Sequence, residues 1–559
     1  MDKNNLVYST HHQSQAVIAA LKHYGIKHVV ISSGSRNAPL TLPITSDEYF
    51  KCYSVIDERS AGFFAMGIAK EVGQTVALVC TSGSAVLNYY PAVAEAFYSR
   101  IPIVILSADR PASMIDKGMG QTIHQEGVLS LHCSYSTTLL EGIDDVEHNV
   151  REISRALEVA AETSSPVHIN IPFAEPLYSV VSEPMMFSFE DNVEKENEQI
   201  IIPSEVIEKW RNARCPMVIC GAHHRDEKLE KILNVLHEKH GVITLCENTS
   251  NLHSESFIEN IDRVIVPLSS DEQEVLKPDF LISIGGMIVS KKIKSFLSSS
   301  TMYHIHVHDH VWPDTYGQLS YSVKCCDTDF LSGLLKVIKE RVDYSSMWLE
   351  MNARSKKSHD KYSSTAPYSD YYIWNTLSGC IPSDTHLEIA NSSSIRYSQL
   401  FNFNDDITIW CNRGTSGIDG STSTAVGAAI GSERTVTHIT GDLSFFYDSN
   451  ALWNNYLPSS MRIIVINNGG GGIFRILDGS RDSHCCEGFL EARHRLSAKH
   501  LACMHNVDYM CANDEKSLKE SLEGFWEQSK RARLLEIFTP SDVNDTVLRD
   551  YFKYLIREK

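Results

Sequence analysis

Short apolar runs alternate with amphipathic segments along most of the 559-residue chain. Runs such as 28–31, 75–80 and 103–107 have the length and composition of buried strands. Segments such as 15–23 instead carry apolar residues at the spacing of one helix face. This alternation predicts an α/β fold of the doubly wound type, in which helices cover both faces of parallel sheets.

Two polar stretches divide this pattern into three predicted domains. Residues 181–200 are acidic and weakly apolar, and residues 346–368 are rich in serine and lysine, so both are predicted to be linkers. The predicted domains are an N-terminal domain (1–185), a central domain (200–345) and a C-terminal domain (369–559). The first and third have the pattern of one doubly wound design used twice.

The hydrophobic pattern is most informative in the C-terminal domain. A strand predicted at 435–440 is followed by Asp442, and a strand predicted at 461–466 is followed by Asn468. A helix-like segment at about 448–456 separates them. A βαβ unit makes such strands parallel neighbours, so we expect Asp442 and Asn468 to lie side by side at the sheet edge where α/β proteins bind ligands.

The residues at this edge suit a metal-bridged diphosphate. A carboxylate, an amide oxygen and a backbone carbonyl are hard oxygen ligands, and Mg²⁺ usually shares such sites with water and phosphate. Four glycines at 469–472 let the backbone approach a phosphate closely. The alternative is a pair of ordinary loop ends, because a glycine run is a weak signal and neither GxGxxG nor GxxxxGK is present.

A second group of polar residues follows predicted strands in the N-terminal domain. Glu58 ends a strand and begins a helix that has an apolar stripe, so its carboxylate lies at the predicted binding edge. The alternative role is a favourable interaction with the helix dipole. Thr81 and Gly83 follow the next strand, where they line a ligand or form a capping turn.

Composition and charge restrict the partners. Hydrophobic residues make up 43% of the chain and charged residues 22%, as in soluble globular proteins. The net charge is 51 − 70 = −19, which argues against nucleic acid and against stable membrane association. An anionic substrate would therefore need a local basic pocket.

Cysteine usage and the N-terminus indicate a cytoplasmic protein. The 14 cysteines have no disulfide-like spacing, the N-terminus lacks a signal peptide, and no apolar run reaches membrane-spanning length.

The histidine-rich run at 303–310 puts alternate side chains on one strand face. Without a second cluster of ligands, a structural role is favoured there over a metal site.

Longer motifs at both ends of the chain resemble one family. GSRNAPLTLP, DERSAGFFAMGIAK, TSGSAVLNYYPAVAEA, SADRP and GQTIHQEG begin at positions 34, 57, 81, 107 and 120. EIANSSSIR, NRGTSGIDGSTSTAVGAA, GDLSFFYD and INNGGGGIF begin at positions 388, 412, 441 and 466. The GD…NN pair is similar to the metal-diphosphate motif of thiamine-diphosphate enzymes. The whole set closely resembles the carboligases of menaquinone biosynthesis within that family, over nearly the full chain but loosely in the middle.

The resemblance implies both cofactors and substrates. The cofactors would be thiamine diphosphate and Mg²⁺ or Mn²⁺, and the substrates 2-oxoglutarate and isochorismate. The implied reaction decarboxylates 2-oxoglutarate and adds the succinyl-semialdehyde carbanion to isochorismate in a Stetter-like 1,4-addition. The resemblance also implies a homodimer or a dimer of dimers, in which Glu58 and Asp442 of different subunits share one cofactor.

The resemblance assigns roles to individual residues. The metal would be held by Asp442, Asn468 and Gly470, while Glu58 would bond the aminopyrimidine ring and Ile418 would bend the cofactor. Further implied cofactor-binding residues are Thr81, Gly83, Gly441, Leu443, Ser444 and Gly471. Gln121 and Ser392 join Glu58 as implied catalytic residues, and the implied substrate-binding residues are Arg36, Arg110, Gln121, Lys292, Ser392, Arg396, Arg413, Ile473 and Phe474.

Three residues depart from the pattern of the family. Lys292 and His124 stand where relatives often have Arg, and Gly469 stands where they often have Asn or Asp, which affects substrate contacts.

A 2-oxoacid decarboxylase or acetolactate synthase is the rival function within the family, but a pyruvate enzyme would not need so many basic residues. A non-catalytic binding protein is disfavoured because Glu58 and Asp442 are both present. The absent Gly-rich fingerprint disfavours a nicotinamide dehydrogenase.

Overall fold

Three six-stranded parallel sheets flanked by helices form the chain. A computed structural model describes residues 6–190, 201–308, 314–476 and 479–558. Within these ranges, no helix has both the length and the apolar character needed to cross a membrane. The doubly wound α/β fold class is thus confirmed, while the predicted domain boundaries stay predictions.

The N-terminal sheet is built from the first part of the chain, and a short antiparallel pair of strands lies beside it. Its elements are β1 (Tyr8–Ser9), α1 (His12–His23), β2 (His28–Ile31), α2 (Ala38–Ser46), β3 (Lys51–Ser54), α3 (Glu58–Val72), β4 (Val76–Cys80), α4 (Ser84–Asn88), α5 (Tyr90–Ser99), β5 (Ile103–Asp109), β6 (Tyr135–Thr138), α6 (Val146–Thr163), β7 (Val167–Pro172) and β8 (Val180–Val181).

The central sheet follows and ends in a long helix. Its elements are α7 (Ser204–Asn212), β9 (Pro216–Cys220), α8 (Glu227–His240), β10 (Ile243–Cys246), β11 (Phe257–Ile258), α9 (Ile261–Ile265), α10 (Ser270–Leu276), β12 (Phe280–Ile284), α11 (Lys291–Ser298), β13 (Tyr303–His308), β14 (Leu319–Lys324), α12 (Asp327–Leu335) and α13 (Tyr344–Ser363).

The C-terminal sheet completes the described chain. Its elements are α14 (Asp370–Cys380), β15 (Thr385–Ile389), α15 (Ser393–Ser398), β16 (Thr408–Trp410), α16 (Ser421–Gly431), β17 (Thr435–Gly441), α17 (Asp442–Tyr447), β18 (Arg462–Asn467), α18 (Ile473–Ile476), α19 (Lys499–Met504), β19 (Asp508–Ala512), α20 (Glu515–Leu522), β20 (Arg533–Phe538) and α21 (Asn544–Arg557).

The N-terminal and C-terminal sheets have the same topology. The N-terminal order is β3-β2-β4-β5-β7-β6 and the C-terminal order is β16-β15-β17-β18-β20-β19. Numbered within each sheet, both are 2-1-3-4-6-5. The central sheet, β11-β10-β9-β12-β13-β14, is 3-2-1-4-5-6. The chain therefore uses one design twice, as the hydrophobic pattern predicts.

Two segments differ from what the sequence pattern indicates. The polar stretch 346–368, whose role as a linker stays a prediction, is mostly helical: it belongs largely to α13, whose Tyr344 and Trp348 are buried one turn apart. Small polar residues such as Ser355 cover the rest of its buried face, so the composition resembled a linker. The helix expected at 448–456 begins earlier, as α17, because Asp442 favours a helix start. A 3₁₀ turn at Ser449–Leu452 follows it.

The N-terminal and C-terminal sheets are joined through one shared apolar core and a close helix pair. A Cβ atom on Gly67 of α3 would lie 2.1 Å from the carbonyl oxygen of Thr424 in α16. A Cβ atom on Gly427 would likewise lie 2.1 Å from the carbonyl oxygen of Phe64. Only glycine allows this approach, which fixes the helix that begins with Glu58 against the helix that follows Ile418.

The histidine-rich strand lies in the central sheet. His304 Nε2 and His306 Nδ1 lie 2.7 and 2.8 Å from the same hydroxyl, Ser283 Oγ. Burial lowers the pKa of both imidazoles to about 4, which favours their neutral forms. Asp309 and His310, the end of the run, lie outside the described residues.

Candidate functional site

The predicted site residues follow strands where the topology of each sheet reverses. In the C-terminal sheet β15 and β17 are neighbours, and the chain continues from β15 to β16 on one side but from β17 to β18 on the other. Ser392 follows β15 and Asp442 follows β17 at this reversal, where doubly wound folds bind ligands. In the N-terminal sheet the equivalent strands are β2 and β4, which lead into Arg36 and Thr81.

Asp442 is a buried carboxylate at the end of β17, with 2% of its surface exposed. Its Oδ2 atom accepts hydrogen bonds from the backbone N–H groups of Gly469 (2.8 Å) and Gly470 (3.0 Å). Its Oδ1 atom accepts one from Leu443 N–H at 2.7 Å. The carboxylate is therefore fixed against the glycine loop that follows β18, as the βαβ argument predicts.

His494 contacts the same carboxylate. Its Nε2 atom lies 3.3 Å from Asp442 Oδ2, and its Nδ1 accepts the N–H of Leu496 at 3.1 Å. The hydrogen of the neutral ring is therefore on Nε2 and faces Asp442. The adjacent Asp442 carboxylate raises the pKa of His494. The sequence analysis missed this residue, because a single histidine in an irregular segment carries no pattern.

Asn468 is oriented by a second buried carboxylate. Its Nδ2 donates to Asp370 Oδ2 at 3.0 Å, and Thr539 donates to the other oxygen at 2.6 Å. Burial raises the pKa of Asp370 to about 6. The amide nitrogen of Asn468 is thus engaged, which leaves its amide oxygen available to a ligand. Asp370 was also missed, since it lies 98 positions from Asn468.

The glycine loop is shaped by the segment around Glu491. Gly470 has φ +153°, and a Cβ atom there would lie 2.7 Å from the carbonyl oxygen of Glu491. Gly471 N–H donates to that same oxygen at 2.6 Å, and His494 N–H donates to Gly469 O at 3.0 Å. Two segments of the loop therefore pair with each other, and only glycine fits at position 470.

The donors present fit a hard divalent cation. They are one buried carboxylate from Asp442, the amide oxygen of Asn468 and the backbone carbonyl of Gly470, next to a second carboxylate in Asp370. Among the described residues no three His, Cys, Asp or Glu side chains form a metal-binding group. A site with a single carboxylate ligand would depend on phosphate oxygens and water for the rest of its coordination.

Ile418 lies beside this site. Its backbone carbonyl accepts the hydroxyl of Ser444 at 2.7 Å, two residues after Asp442, and Ser421 bonds the same hydroxyl at 2.9 Å. Its side chain is 37% exposed. An exposed isoleucine on a fixed backbone is suited to contact an apolar face of a bound ligand.

Glu58 occupies the first position of α3. Asp57 caps the helix by accepting Ser60 N–H at 3.2 Å, so the Glu58 side chain is not needed as the cap. Glu58 is half-buried, and Asn88 Nδ2 donates to its Oε2 at 3.2 Å. The carboxylate is therefore held at the edge of the N-terminal sheet with one oxygen engaged.

Gln121 and Ser392 both adopt backbone conformations that are unusual for residues with side chains. Their φ angles are +56° and +68°. Gly83 has φ +88°, and a Cβ atom there would lie 3.1 Å from Gln121 Cα. Thr81, two residues earlier, would lie 2.2 Å from a Cβ on Gly34. Positive φ angles in residues that carry side chains are concentrated at functional sites, so Gln121 and Ser392 remain candidates for the predicted roles.

The basic residues form two groups on different sheets. Arg36 is buried, donates to Phe173 O at 2.9 Å and pairs with Glu175 at 3.1 Å, and its other charged neighbours are Arg110 and Asp109. Burial lowers the pKa of Arg36, and the nearby Arg110 lowers it further. Both guanidinium groups have a buried Nε atom with no hydrogen-bond partner in the described structure. Such donors suit an anionic ligand.

The second basic group lies at the C-terminal sheet. Arg396 donates to Ser392 O at 2.7 Å, and Arg413 donates to Asn391 Oδ1 at 2.8 Å. Burial and the neighbouring Arg413 lower the pKa of Arg396. Lys292 is an exposed residue of α11, and its charge acts on Asp262, as does that of Arg396.

The remaining predicted residues lie on the loop after β18 or outside the buried site. Ile473 is buried and Phe474 half-buried at the start of α18. His124 pairs with Asp116 at 3.2 Å on the surface, with both side chains more than two-thirds exposed (81% and 73%). Most predicted cofactor and substrate residues are therefore brought together in two groups, one on each of the two related sheets, whereas Lys292 comes from α11 of the central sheet.

Comparison with known proteins agrees with this geometry. Residues 11–128 match the family model for the thiamine pyrophosphate enzyme, N-terminal TPP binding domain. The chain is 44% identical over 552 residues to 2-succinyl-5-enolpyruvyl-6-hydroxy-3-cyclohexene-1-carboxylate synthase of Flavobacterium psychrophilum, covering 98% of this chain and 100% of the relative.

Two further relatives carry the same name. The synthase of Flavobacterium johnsoniae is 43% identical over 555 residues, covering 98% of this chain and 100% of the relative. That of Porphyromonas gingivalis is 36% identical over 554 residues, covering 96% and 95%. On this full-length similarity, the chain belongs to the 2-succinyl-5-enolpyruvyl-6-hydroxy-3-cyclohexene-1-carboxylate synthase family of thiamine-diphosphate enzymes.

Proposed function

We propose that this chain decarboxylates 2-oxoglutarate and joins the remaining four-carbon unit to isochorismate. The products are CO₂ and the compound for which the relatives are named, an intermediate of menaquinone (vitamin K2) biosynthesis. The observation that carries the proposal is Asp442, whose Oδ2 is held by the Gly469 and Gly470 N–H groups beside Asn468. This arrangement supports a metal-bridged diphosphate at that edge.

The cofactor site is proposed as follows. Asp442, Asn468 and Gly470 hold Mg²⁺ or Mn²⁺, and Thr81 and Gly83 line the site from the N-terminal sheet. When bound, thiamine diphosphate supplies the electron sink that a 2-oxoacid needs to lose CO₂. Glu58 holds a proton at the aminopyrimidine, as general acid-base chemistry requires. The other cofactor contacts are Ile418, Gly441, Leu443, Ser444 and Gly471.

The two basic groups bind the substrate carboxylates. Both substrates are dicarboxylates, and the chain as a whole has a charge of −19. Basic side chains in the pocket must therefore offset the repulsion between the substrates and the negatively charged protein. Gln121 and Ser392 are proposed to orient the reacting groups. Ile473 and Phe474 form apolar walls, and the substrate cations are Arg36, Arg110, Lys292, Arg396 and Arg413.

We further propose that two subunits share each site, in a homodimer or a dimer of dimers. The charged neighbours of Arg36 belong to the N-terminal part of the chain, whereas those of Arg396 are Arg413 and Asp262. An isologous pair would bring the N-terminal edge of one chain to the C-terminal edge of the other. All 14 cysteines are free thiols, which supports a reducing cytoplasm as the location.

The proposed function is tested by product analysis. The purified protein is mixed with thiamine diphosphate, Mg²⁺, 2-oxoglutarate and isochorismate, and the product is identified by mass. Replacement of 2-oxoglutarate by pyruvate should abolish the coupled product. A faster reaction with pyruvate would favour the rival decarboxylase or acetolactate synthase, and no product under either condition would reject the proposed reaction.

A further inference from the structure

The loop between β16 and α16, residues 411–420, carries both Arg413 and Ile418. A carboxylate from the N-terminal part of the chain holds its backbone. Glu95 Oε1 accepts Gly414 N–H at 2.7 Å, and Oε2 accepts both the N–H and the hydroxyl of Thr415, each at 2.7 Å. Ser99 Oγ donates to Oε1 at 2.7 Å. Glu95 is 1% exposed and lies 319 positions from Gly414.

We propose that Glu95 is a positioning residue of the synthase reaction, setting the geometry of the loop that carries Arg413 and Ile418; this inference rests on the proposed function. A buried carboxylate is costly to desolvate, and its four hydrogen-bond donors offset that cost. Three of those donors belong to the loop. The carboxylate therefore fixes two consecutive peptide groups more tightly than apolar packing would.

Other groups hold the rest of this loop, whereas the backbone N–H groups of Gly414 and Thr415 are bonded by Glu95. Asn391 Nδ2 donates to Asn412 O at 2.6 Å and to Gly417 O at 2.8 Å, and its Oδ1 accepts from Arg413. Gly414 lies against α5 so closely that a Cβ atom there would be 2.5 Å from Glu95 O. The Arg413 guanidinium is consequently held from both sides, directly by Asn391 and through its backbone by Glu95.

The position of Arg413 matters because a guanidinium group binds a carboxylate only when its N–H groups point toward the carboxylate oxygens. Its Nε is buried and has no hydrogen-bond partner among the described residues. A substrate carboxylate would satisfy that donor only if the guanidinium is correctly placed. Displacement of a binding group by about 1 Å can cost a factor of about 10² in rate. Ile418, at the other end of the loop, is also bonded by Ser444, so it should shift less than Arg413.

Glu95→Gln is the direct test. Each carboxylate oxygen faces a backbone N–H, so the amide NH₂ of glutamine meets an N–H whichever way it is turned. We expect KM for at least one dicarboxylate substrate to rise tenfold or more, with kcat reduced less. Ser99→Ala removes a donor outside the loop and should keep wild-type kinetics. Thr415→Val removes only the hydroxyl and should give a smaller rise, of a few fold.

Two readouts independent of turnover separate positioning from general stability. Hydrogen exchange of the 411–420 amides should become faster in Glu95→Gln, while that of the core strand β18 is unchanged. Calorimetry should show a smaller loss in the binding of thiamine diphosphate with Mg²⁺, because Ile418 lies on the same loop but is also held by Ser444. Thr415→Val should show the same changes more weakly, so it decides the question if Glu95→Gln does not fold.

Unchanged KM values in both variants, or a lower melting temperature with unchanged KM and local exchange, would overturn the positioning role. Failure of the proposed function has a different signature, namely no coupled product from the wild type. In that case exchange of the 411–420 amides and cofactor affinity still decide whether Glu95 positions this loop.

Discussion

His494 Nε2 lies 3.3 Å from Asp442 Oδ2, and Leu496 N–H fixes the ring so that its proton faces the carboxylate. The same oxygen accepts the N–H groups of Gly469 and Gly470. Two backbone donors thus bond one carboxylate oxygen at the edge of the C-terminal sheet, and the His494 ring faces the same atom. This polar environment keeps Asp442 in place although it is almost fully buried.

Asp442→Ala should abolish tight binding of thiamine diphosphate with Mg²⁺, because the diphosphate would lose its ionic bridge to the protein. We expect the dissociation constant, measured by titration calorimetry, to rise at least tenfold. The exposed Asp144→Ala is the control and should bind as the wild type does. Equal affinity in the two variants would remove Asp442 from the metal site.

Arg396→Ala and Arg413→Ala should weaken the use of a dicarboxylate substrate while cofactor binding changes little. The loss of one charged hydrogen bond is worth roughly 1.5–3 kcal/mol, which corresponds to a roughly 10- to 150-fold lower kcat/KM. Steady-state kinetics with each substrate varied in turn measure the effect. Arg155→Ala, a surface change on α6, is the control. Wild-type kinetics in both site variants would place these residues outside the pocket.

Glu58→Gln and Asp442→Ala test whether two chains share each site. Each homodimer should be nearly inactive. In a mixed dimer, one site carries both changes and the other carries neither, so co-expression should restore activity toward half of the wild type per heterodimer. Native mass spectrometry establishes that the heterodimers form. If they form without recovery of activity, each site is built within one chain.

Lys70→Met should destabilise the fold strongly. Lys70 of α3 forms a buried ion pair with Glu388 of β15, and His386 Nε2 lies 2.8 Å from the same carboxylate oxygen. Burial opposes ionisation of Glu388, but Lys70 and His386 outweigh it and lower its pKa to about 2. Removing one partner of a buried pair costs about 3–5 kcal/mol.

Urea unfolding measures this loss, and the double variant Lys70→Met/Glu388→Leu is the control. It removes both charges and should recover part of the stability. If Lys70→Met is as stable as the wild type, the ion pair between Lys70 and Glu388 contributes no net stability.

Asp448→Asn should change the pH dependence of stability. Burial raises the pKa of Asp448 to about 7, although Ser423 donates two hydrogen bonds to it. Because the folded pKa is above the unfolded one, the folded state retains a proton that the unfolded state releases as pH rises from about 4 to 7. The contribution of Asp448 to the free energy of unfolding therefore falls over that window.

The comparison is urea unfolding of the wild type and Asp448→Asn at pH 5 and pH 8. The wild type should lose stability relative to the variant at the higher pH, whereas the exposed Asp144→Asn should show no such change. A pH-independent difference between wild type and Asp448→Asn would contradict the assignment.

The sequence by itself determined the pairing of Asp442 with the loop after β18. Buried strands are recognisable from short apolar runs, and a βαβ connection leaves one arrangement for two adjacent parallel strands. The same local pattern places Glu58 at the start of a helix. It also predicts that the N-terminal and C-terminal sheets repeat one design. The longer motifs identified the family because they extend over many consecutive positions.

Only the tertiary structure decided which groups support those residues. Asp370 orients Asn468, His494 faces Asp442, and Glu95 holds the backbone at Gly414 across 319 positions. Each contact joins segments whose relative position depends on the packing of whole sheets and helices. No local periodicity records such a contact, because a single buried polar side chain is selected by the partner that packing brings to it.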